Sequence, residues 1–455
     1  MSVLPEEFIK TTAEILGSEL PAFTEALQLT PPVSIRRNTF KNTSRGTAHD
    51  HETVLWNSEG LYLDSRPSFT DDPMFHAGSY YVQEASSMFV GHIAGSLGLP
   101  ESVRILDLCA APGGKATLYS ELAGPEGIVV ANEVVSSRAS VLADNIRKWG
   151  IGNTMVTNND PAHLGNFREW FDIVAVDAPC SGEGMFRKNP EAVTEWSPKN
   201  VTMCAARQRR IITDIWDALS PGGVLIYSTC TFNREENEDN VRWISENFDC
   251  ADAGIAVPPE WGIAETEAGG IRCFRFWPHR VKGEGFFAAA IRKGGEYGRS
   301  GKSPKSRKNI FTKATAKESE ELCRWVKEPE RFQYMRIGDN YYGYYAGQIN
   351  EIRSIAENLN TIYSGVCMGQ MFGGKLKPDH SLAMYYGLNR AKVHETELTL
   401  QESLQYLKRQ DISVADRMQE GINLVSYSGE TLGWAKRIGN RINNLYPKSQ
   451  MILHK

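Results

Sequence analysis

Residues 103–116 read Val-Arg-Ile-Leu-Asp-Leu-Cys-Ala-Ala-Pro-Gly-Gly-Lys-Ala. The first six have a strand pattern, the paired glycines make a turn, and a helix pattern follows over Ala116–Ala123. Working outward, the same alternation repeats. Gly127–Glu133 is a second strand, 136–149 a helix, and Thr154–Thr157 a third strand. Phe171–Asp177 is nearly all apolar, as a central parallel strand buried on both faces should be. Val201, Cys204, Ala205, Ile212, Ile215 and Leu219 then fall on one face of a long helix. Ser220-Pro221-Gly222-Gly223 stops it, and Val224–Ser228 is a fifth strand. Asn233, with Glu236 three residues on, reads as a capping box for an acidic helix at 234–247. This order predicts a Rossmann-like, doubly wound α/β sheet. Right-handed crossovers bring its strand carboxyl ends to one edge, where ligands bind.

The chain around this core has 455 residues, 41% of them hydrophobic and 23% charged. That is enough for more than one core, and too apolar for a disordered chain. The longest apolar run, Phe286–Ile291, is far too short to span a bilayer, and the N-terminus MSVLPEEFIK lacks the basic and apolar regions of a signal peptide. Eight cysteines with no C-x-x-C pair suggest neither zinc nor a disulfide framework, so a reducing cytoplasm and no metal are expected. Net charge is −5, yet Arg299–Lys317 and Thr431–Lys455 are basic without a single acid. Locally basic segments on a mildly acidic chain suit a restricted nucleic-acid track, or solvated linker and tail. Composition divides the chain into an N-terminal extension at 1–98, the α/β core at 99–293, a Gly/Ser/Lys-rich flexible linker at 294–318 and a C-terminal region at 319–455. The extension has helix patterns over Glu6–Leu16 and Ala22–Leu29; the C-terminal region has strand-like runs such as Tyr341–Tyr345 in a small mixed or barrel module.

The first turn, Cys109-Ala110-Ala111-Pro112-Gly113-Gly114-Lys115, is neither G-x-G-x-x-G nor a Walker loop. Its glycines let backbone approach a ligand closely. Glu133, ending the second strand, stands where an acid receives ribose hydroxyls. Asn158-Asn159-Asp160 ends the third strand, within reach of an adenine edge. With Arg138 and Asp177, these residues suit a nucleoside cofactor without pyrophosphate, and S-adenosylmethionine is such a molecule. Each element alone is more often a tight turn or an exposed acid than a site; together in register they favour the site.

The fourth strand ends Asp177-Ala178-Pro179-Cys180-Ser181-Gly182-Glu183-Gly184, and the fifth ends Ser228-Thr229-Cys230-Thr231. Both ends lie at the cofactor edge. Two thiols and a carboxylate beside a methyl donor suit methylation at carbon 5 of a pyrimidine. A thiolate adding to carbon 6 makes an enamine of the ring, so carbon 5 becomes nucleophilic. Asp177 would bind the N3/N4 edge of cytosine. Free cysteine is commonly just buried, and Cys204, Cys250, Cys273, Cys323 and Cys367 read that way. Cys109 lines the turn and packs. Which of Cys180 and Cys230 attacks, the residues alone leave open.

These motifs resemble the Nol–Nop–Sun family of RNA cytosine-5 methyltransferases. The likeness rests on LDLCAAPGGK (106–115), DAPCSGEG (177–184), STCT (228–231) and GSYYVQEASS (78–87). It implies that Cys230 is the nucleophile and that Cys180 helps release product. It also implies that Lys115 sits near the target base and helps deprotonate the attacking thiol. The C-terminal stretch GETLGWAKRIGNRINNLY (429–446) is similar to the terminal, PUA-like module of the RsmF-type 16S ribosomal RNA branch of that family. There Gly433, Lys436, Arg437, Asn440 and Arg441 would form a basic strand or loop against phosphates.

The expectation is therefore a monomeric cytosine-5 methyltransferase acting on small-subunit ribosomal RNA or its 30S particle. Transfer RNA or another RNA is the alternative substrate. Amino-group methylation is disfavoured because Cys180 replaces the second proline of its usual Asn/Asp-Pro-Pro-aromatic motif. A non-enzymatic RNA-binding factor is disfavoured by the intact Gly113-Gly114-Lys115, Glu133, Asp177 and thiols. Arg36-Arg37-Asn38 reads equally as RNA contact or exposed basic strand. Arg207, Arg209 and Arg210 read as the polar face of their helix, and Tyr80, Tyr81 and Gln83 as either RNA channel or core.

Overall fold

The computed structural model describes residues 4–41, 51–299, 301, 304 and 310–453. The five strands expected from the sequence form the parallel centre of a ten-stranded sheet. Leu219–Thr229, Phe171–Asp177, Arg104–Asp107, Ile128–Asn132 and Thr154–Thr157 lie side by side in that order. The first strand in sequence is thus the middle one, and its neighbours on the two sides belong to opposite windings. The strands ending at Asp107 and Asp177 lie side by side at this reversal, the place where such sheets open a crevice for ligands. Ile128–Asn132 is buried at every position, which is why it alternates no polar face.

The sheet continues beyond the parallel strands. Phe286–Lys293 pairs antiparallel with Leu219–Thr229, followed by Ile271–Phe276 and Ala264–Ala268. On the far edge Thr361–Ser364 pairs antiparallel with Thr154–Thr157. The core sheet therefore takes a strand from beyond residue 293. Helix Ile349–Asn358 follows suit: Ile352 and Ile355 belong to the same buried cluster as Leu106, Val130 and Val174.

Three local expectations are corrected. Ser220-Pro221-Gly222-Gly223 does not separate helix from strand. The helix ends at Ile215, and the four residues lie within the strand Leu219–Thr229. Leu219 pairs with Phe171 and Val224 with Ile173, so the excess chain bulges out, with Gly222 at φ +69°. The acidic helix starts at Glu238, and Asn233 and Glu236 precede it in a loop with another task. The second N-terminal helix runs Leu20–Ala26, whereas Glu6–Leu16 falls where its spacing puts it.

Of the expected linker, residues 300, 302, 303 and 305–309 lie outside the described residues. Its described ends are fastened. The Tyr297 hydroxyl donates to Asp172 at 2.7 Å, and Arg299 pairs with the same carboxylate at 2.7 Å. Thr312–Lys313 edges a five-stranded antiparallel sheet that includes Phe332–Ile337 and Asn340–Tyr345. At the C-terminus, Gly421–Tyr427, Glu430–Ile438 and Arg441–Asn444 form an antiparallel sheet extended by His394–Glu397. No helix among the described residues is long and apolar enough to cross a membrane.

The N-terminal extension supports the site from below. Phe8 and Phe23 pack edge-on against Phe186 and Phe232, which follow the two cysteine loops. Phe232 stacks on Trp277 with 5.1 Å between centroids. A four-stranded sheet, including Val33–Arg37 and Tyr80–Val82, covers the first core helix.

Candidate active site

Helix Gly114–Ala123 begins directly after the Cys109–Gly113 turn. Gly113 has φ +119°, and Leu142 would lie 3.2 Å from a Cβ placed there. A side chain at this position is thus both strained and crowded. The Ala110 amide donates to Asn132 O at 2.8 Å, and the Asn145 amide donates to Pro112 O at 2.8 Å. These bonds hold the turn over the second strand. Ala111 O accepts from Arg138 at 2.9 Å, and Arg138 also reaches Glu133 at 3.4 Å. Glu133 is buried and accepts from the Val135 amide at 2.9 Å. Asp160 caps the short helix Pro161–Gly165 through the Ala162 amide and is exposed. The Asn158 side chain donates to Glu133 O and Val134 O, joining the second and third strand ends.

Asp107 escaped sequence reasoning. It closes the first strand, is buried, and neither carboxylate oxygen has a hydrogen-bond partner among the described residues. Burial pushes its carboxyl up to about 7. A buried, unpartnered carboxylate at the crevice is costly unless a cationic ligand group meets it. Cys109 packs against the core, and burial raises its thiol well above the ordinary range.

The two cysteines meet. Cys180 Sγ and Cys230 Sγ are 3.2 Å apart, and both thiols are free. Lys115 Nζ lies 2.8 Å from Asp177 Oδ2, and Ser228 Oγ donates to Asp177 Oδ1 at 2.9 Å. Burial works to lower the Lys115 ammonium, but Asp177, Asp107 and Cys230 outweigh it and leave it above the ordinary lysine value. The hydrogen bond to Cys230, reinforced by burial, raises Cys180 well above a free thiol. Either sulfur can donate in this contact.

Two buried glutamates brace these loops; the sequence marked Glu236 only as part of a helix cap and Glu183 only within its motif. Glu236 accepts from the Ser181 amide at 3.0 Å, from Ser181 Oγ, from Gln208 Nε2 at 2.8 Å and from Asn233 Nδ2 at 2.8 Å. Glu183 accepts from the amides of Phe232 and Asn233 at 2.8 and 2.9 Å, and from the Trp196 indole at 2.9 Å. Glu236 thus ties the helix Pro198–Ile215 to the Cys180 loop, and Glu183 ties that loop to the residues after Cys230. The Asn233–Glu236 spacing that resembled a cap belongs to this brace. Arg36 is buried against Glu121 at 2.6 Å, Thr117 and Gly114 O, so it fastens the core helix and is no RNA contact. Arg37 pairs with Glu59. Gln83 bonds Arg36, and Tyr80 donates to Asp72. Arg209 donates to Asn240, while Arg207 and Arg210 lie on the exposed face of their helix.

A doubly wound sheet with this crevice is the fold of S-adenosylmethionine-dependent methyltransferases. Residues 95–292 match the family described as 16S rRNA methyltransferase RsmB/F. Residues 4–85 match the N-terminal domain of 16S rRNA methyltransferase RsmF, and 393–451 the methyltransferase RsmF PUA domain. Ribosomal RNA small subunit methyltransferase F of Pectobacterium atrosepticum is 31% identical, covering 98% of this chain and 95% of that protein. Its counterpart in Salmonella heidelberg is 33% identical, covering 98% and 96%. A solved methyltransferase homolog protein from Pyrococcus horikoshii has 27% identity and a TM-score of 0.51, covering 64% of this chain and all of that one. The chain belongs to the RsmF family of 16S rRNA methyltransferases.

Proposed function

We propose that the protein methylates carbon 5 of a cytosine in small-subunit ribosomal RNA, in the cytoplasm, through a transient Cys230–cytosine bond. The observation that carries this reading is the 3.2 Å approach of Cys180 and Cys230 beside the Lys115–Asp177 pair.

The crevice fits S-adenosylmethionine. Glu133 stands for the ribose hydroxyls, the Cys109–Lys115 backbone for the methionine portion, and the unpartnered Asp107 for its ammonium. Arg138 fixes the turn, and Asp160 borders the adenine side. When bound, the cofactor supplies an electrophilic methyl group on sulfur. The chain supplies the rest. Cys230 gives up its thiol proton to water and, receiving a hydrogen bond from Cys180, adds as thiolate to carbon 6. Lys115 is held protonated by Asp177, so it serves as a cation stabilising that thiolate rather than as the base the resemblance implies. Asp177, partly exposed, offers its carboxylate to the N3/N4 edge of the ring. After methylation the proton on carbon 5 passes to water, its electron pair re-forms the ring double bond, and the carbon 6–sulfur bond breaks with its pair returning to Cys230 as thiolate. Cys180, touching the bonded sulfur, assists this elimination.

Incubation of Cys180→Ala protein with ribosomal RNA and cofactor tests the reading. A stable protein–RNA adduct is expected by denaturing electrophoresis, and the Cys180→Ala/Cys230→Ala double variant should form none. Bisulfite sequencing should locate 5-methylcytosine made by the wild type. Normal methylation by both single cysteine variants would remove the covalent mechanism.

A further inference from the structure

A cavity of about 520 Å³ borders Pro112, just before the Gly113–Gly114 turn. Apart from Pro112 and Asn145, which donates to it, none of its lining residues belongs to the cofactor or cysteine sites above. Phe69, Phe75 and Tyr81 give it three rings, and Arg66 and Lys148 give it two cations. The Arg66 guanidinium sits 5.5 Å from the centre of the Phe69 ring, and Lys148 Nζ 3.9 Å from that of Phe75. Among the described residues, no carboxylate lines the cavity. Asn145 spends its amide nitrogen on Pro112 O and Tyr81 Oη, and its amide oxygen has no bond among the described residues.

We propose that this cavity binds an unpaired nucleotide of the substrate RNA next to the target base: base on the rings, phosphate on Arg66 and Lys148. The inference deepens the proposed function and rests on it for the identity of the RNA. Rings interleaved with cations and no acid are the chemistry of single-strand binding. The position is also right. Tyr81 Cε1 comes 3.4 Å from where a Cβ on Gly114 would lie, one residue before Lys115. The cavity wall thus lies one residue from Lys115, which pairs with Asp177 at the proposed catalytic site. Swinging a base out of its stack leaves its neighbour with an exposed face. A ring-lined cavity beside the active site restacks that neighbour and offsets part of the cost. Burial lowers Lys148 to about 8, so it carries its charge near neutral pH and loses it as pH rises past that value.

Filter binding of a 16S ribosomal RNA transcript tests this without any methylation step. Phe69→Ala is expected to weaken binding about ten- to a hundredfold, the range for losing one base stack, with Phe69→Tyr restoring it. Arg66→Ala, at an exposed position, should weaken binding and lower the salt dependence by about one unit of slope. Calorimetric binding of S-adenosylmethionine and thermal unfolding of both variants should match the wild type. Wild-type RNA affinity and salt slope in both variants would overturn the proposal. A wild type that binds this transcript yet methylates another atom removes the proposed reaction, while the Phe69 and Arg66 results still decide the pocket.

Discussion

Cys180 and Cys230 share a surrounding but differ in what they can do. The contact with Cys230 and burial raise the Cys180 thiol; Cys230 has Lys115 among its electrostatic neighbours. Lys115→Met keeps the length of the side chain and deletes the cation. Alkylation of Cys230 by iodoacetamide at pH 7 should slow about tenfold, a readout independent of cofactor and RNA. An unchanged rate would show that Lys115 does not stabilise the thiolate. Asp107 makes a different prediction. Its carboxyl rises from 3.8 to about 7 on folding, so between these values the folded state holds the proton that the unfolded state has lost. Free-enzyme stability therefore falls as pH rises through that window and levels off above about 7. Asp107→Asn should flatten that fall, which has a ceiling of about 4 kcal/mol. Urea unfolding from pH 4 to 8 measures it, and parallel curves for the two proteins would exclude Asp107 as the group. The sulfurs could be read from the sequence because both end apolar strands that must lie parallel. Asp107 could not, because its isolation comes from what packs around it and not from its own neighbours in the chain.

At the scale of elements, the strand–turn–helix starting at Arg104 was legible because its periodicity is set by burial on both faces of the sheet. What holds the helix was not. Arg36, from a strand of the N-terminal extension, is fully buried and charge-paired to Glu121 on the helix Gly114–Ala123. A basic pair in the sequence carries no sign of which residue turns inward, and only Arg37 reaches the surface. Breaking a buried pair leaves an uncompensated charge, so Arg36→Met should cost about 3–5 kcal/mol. Arg36→Met with Glu121→Gln should recover a large part of it, since the stranded carboxylate is then gone. Urea denaturation of the two singles and the double closes the cycle. Additive losses would mean that the pair acts as two independent packing contacts. The Asn233–Glu236 brace was hidden for a related reason. A cap and a loop brace share the same Asx–x–x–Glu spacing, and tertiary partners such as Ser181 and Gln208 decide between them.

For the molecule as a whole, composition places a boundary near 294–318, yet the hydrophobic core crosses it. Thr361–Ser364 closes the edge of the methyltransferase sheet, and Ile352 and Ile355 fill the same cluster as the strands that carry Asp107 and Asp177. The N-terminal extension meets the C-terminal module too: Ala77 packs with Leu407 and Leu432, and His76 lies 3.4 Å from the Tyr446 hydroxyl. A Gly/Ser/Lys-rich stretch reports local chain stiffness and is silent about apolar faces that meet across it, so sequence punctuation marks the segment and misses the shared core. Such interlocking predicts one cooperative thermal transition for the full chain rather than separate melting of core and C-terminal region. Ile355 is fully buried, and Ile355→Ala removes buried methyl groups at a cost of about 2–5 kcal/mol. Because Ile355 packs into the methyltransferase cluster, that cost should lower the whole transition in calorimetry and, with it, the temperature at which S-adenosylmethionine binding is lost. Two resolved transitions, of which Ile355→Ala moves only the one unconnected with cofactor binding, would show that the boundary in the sequence is also a boundary in stability.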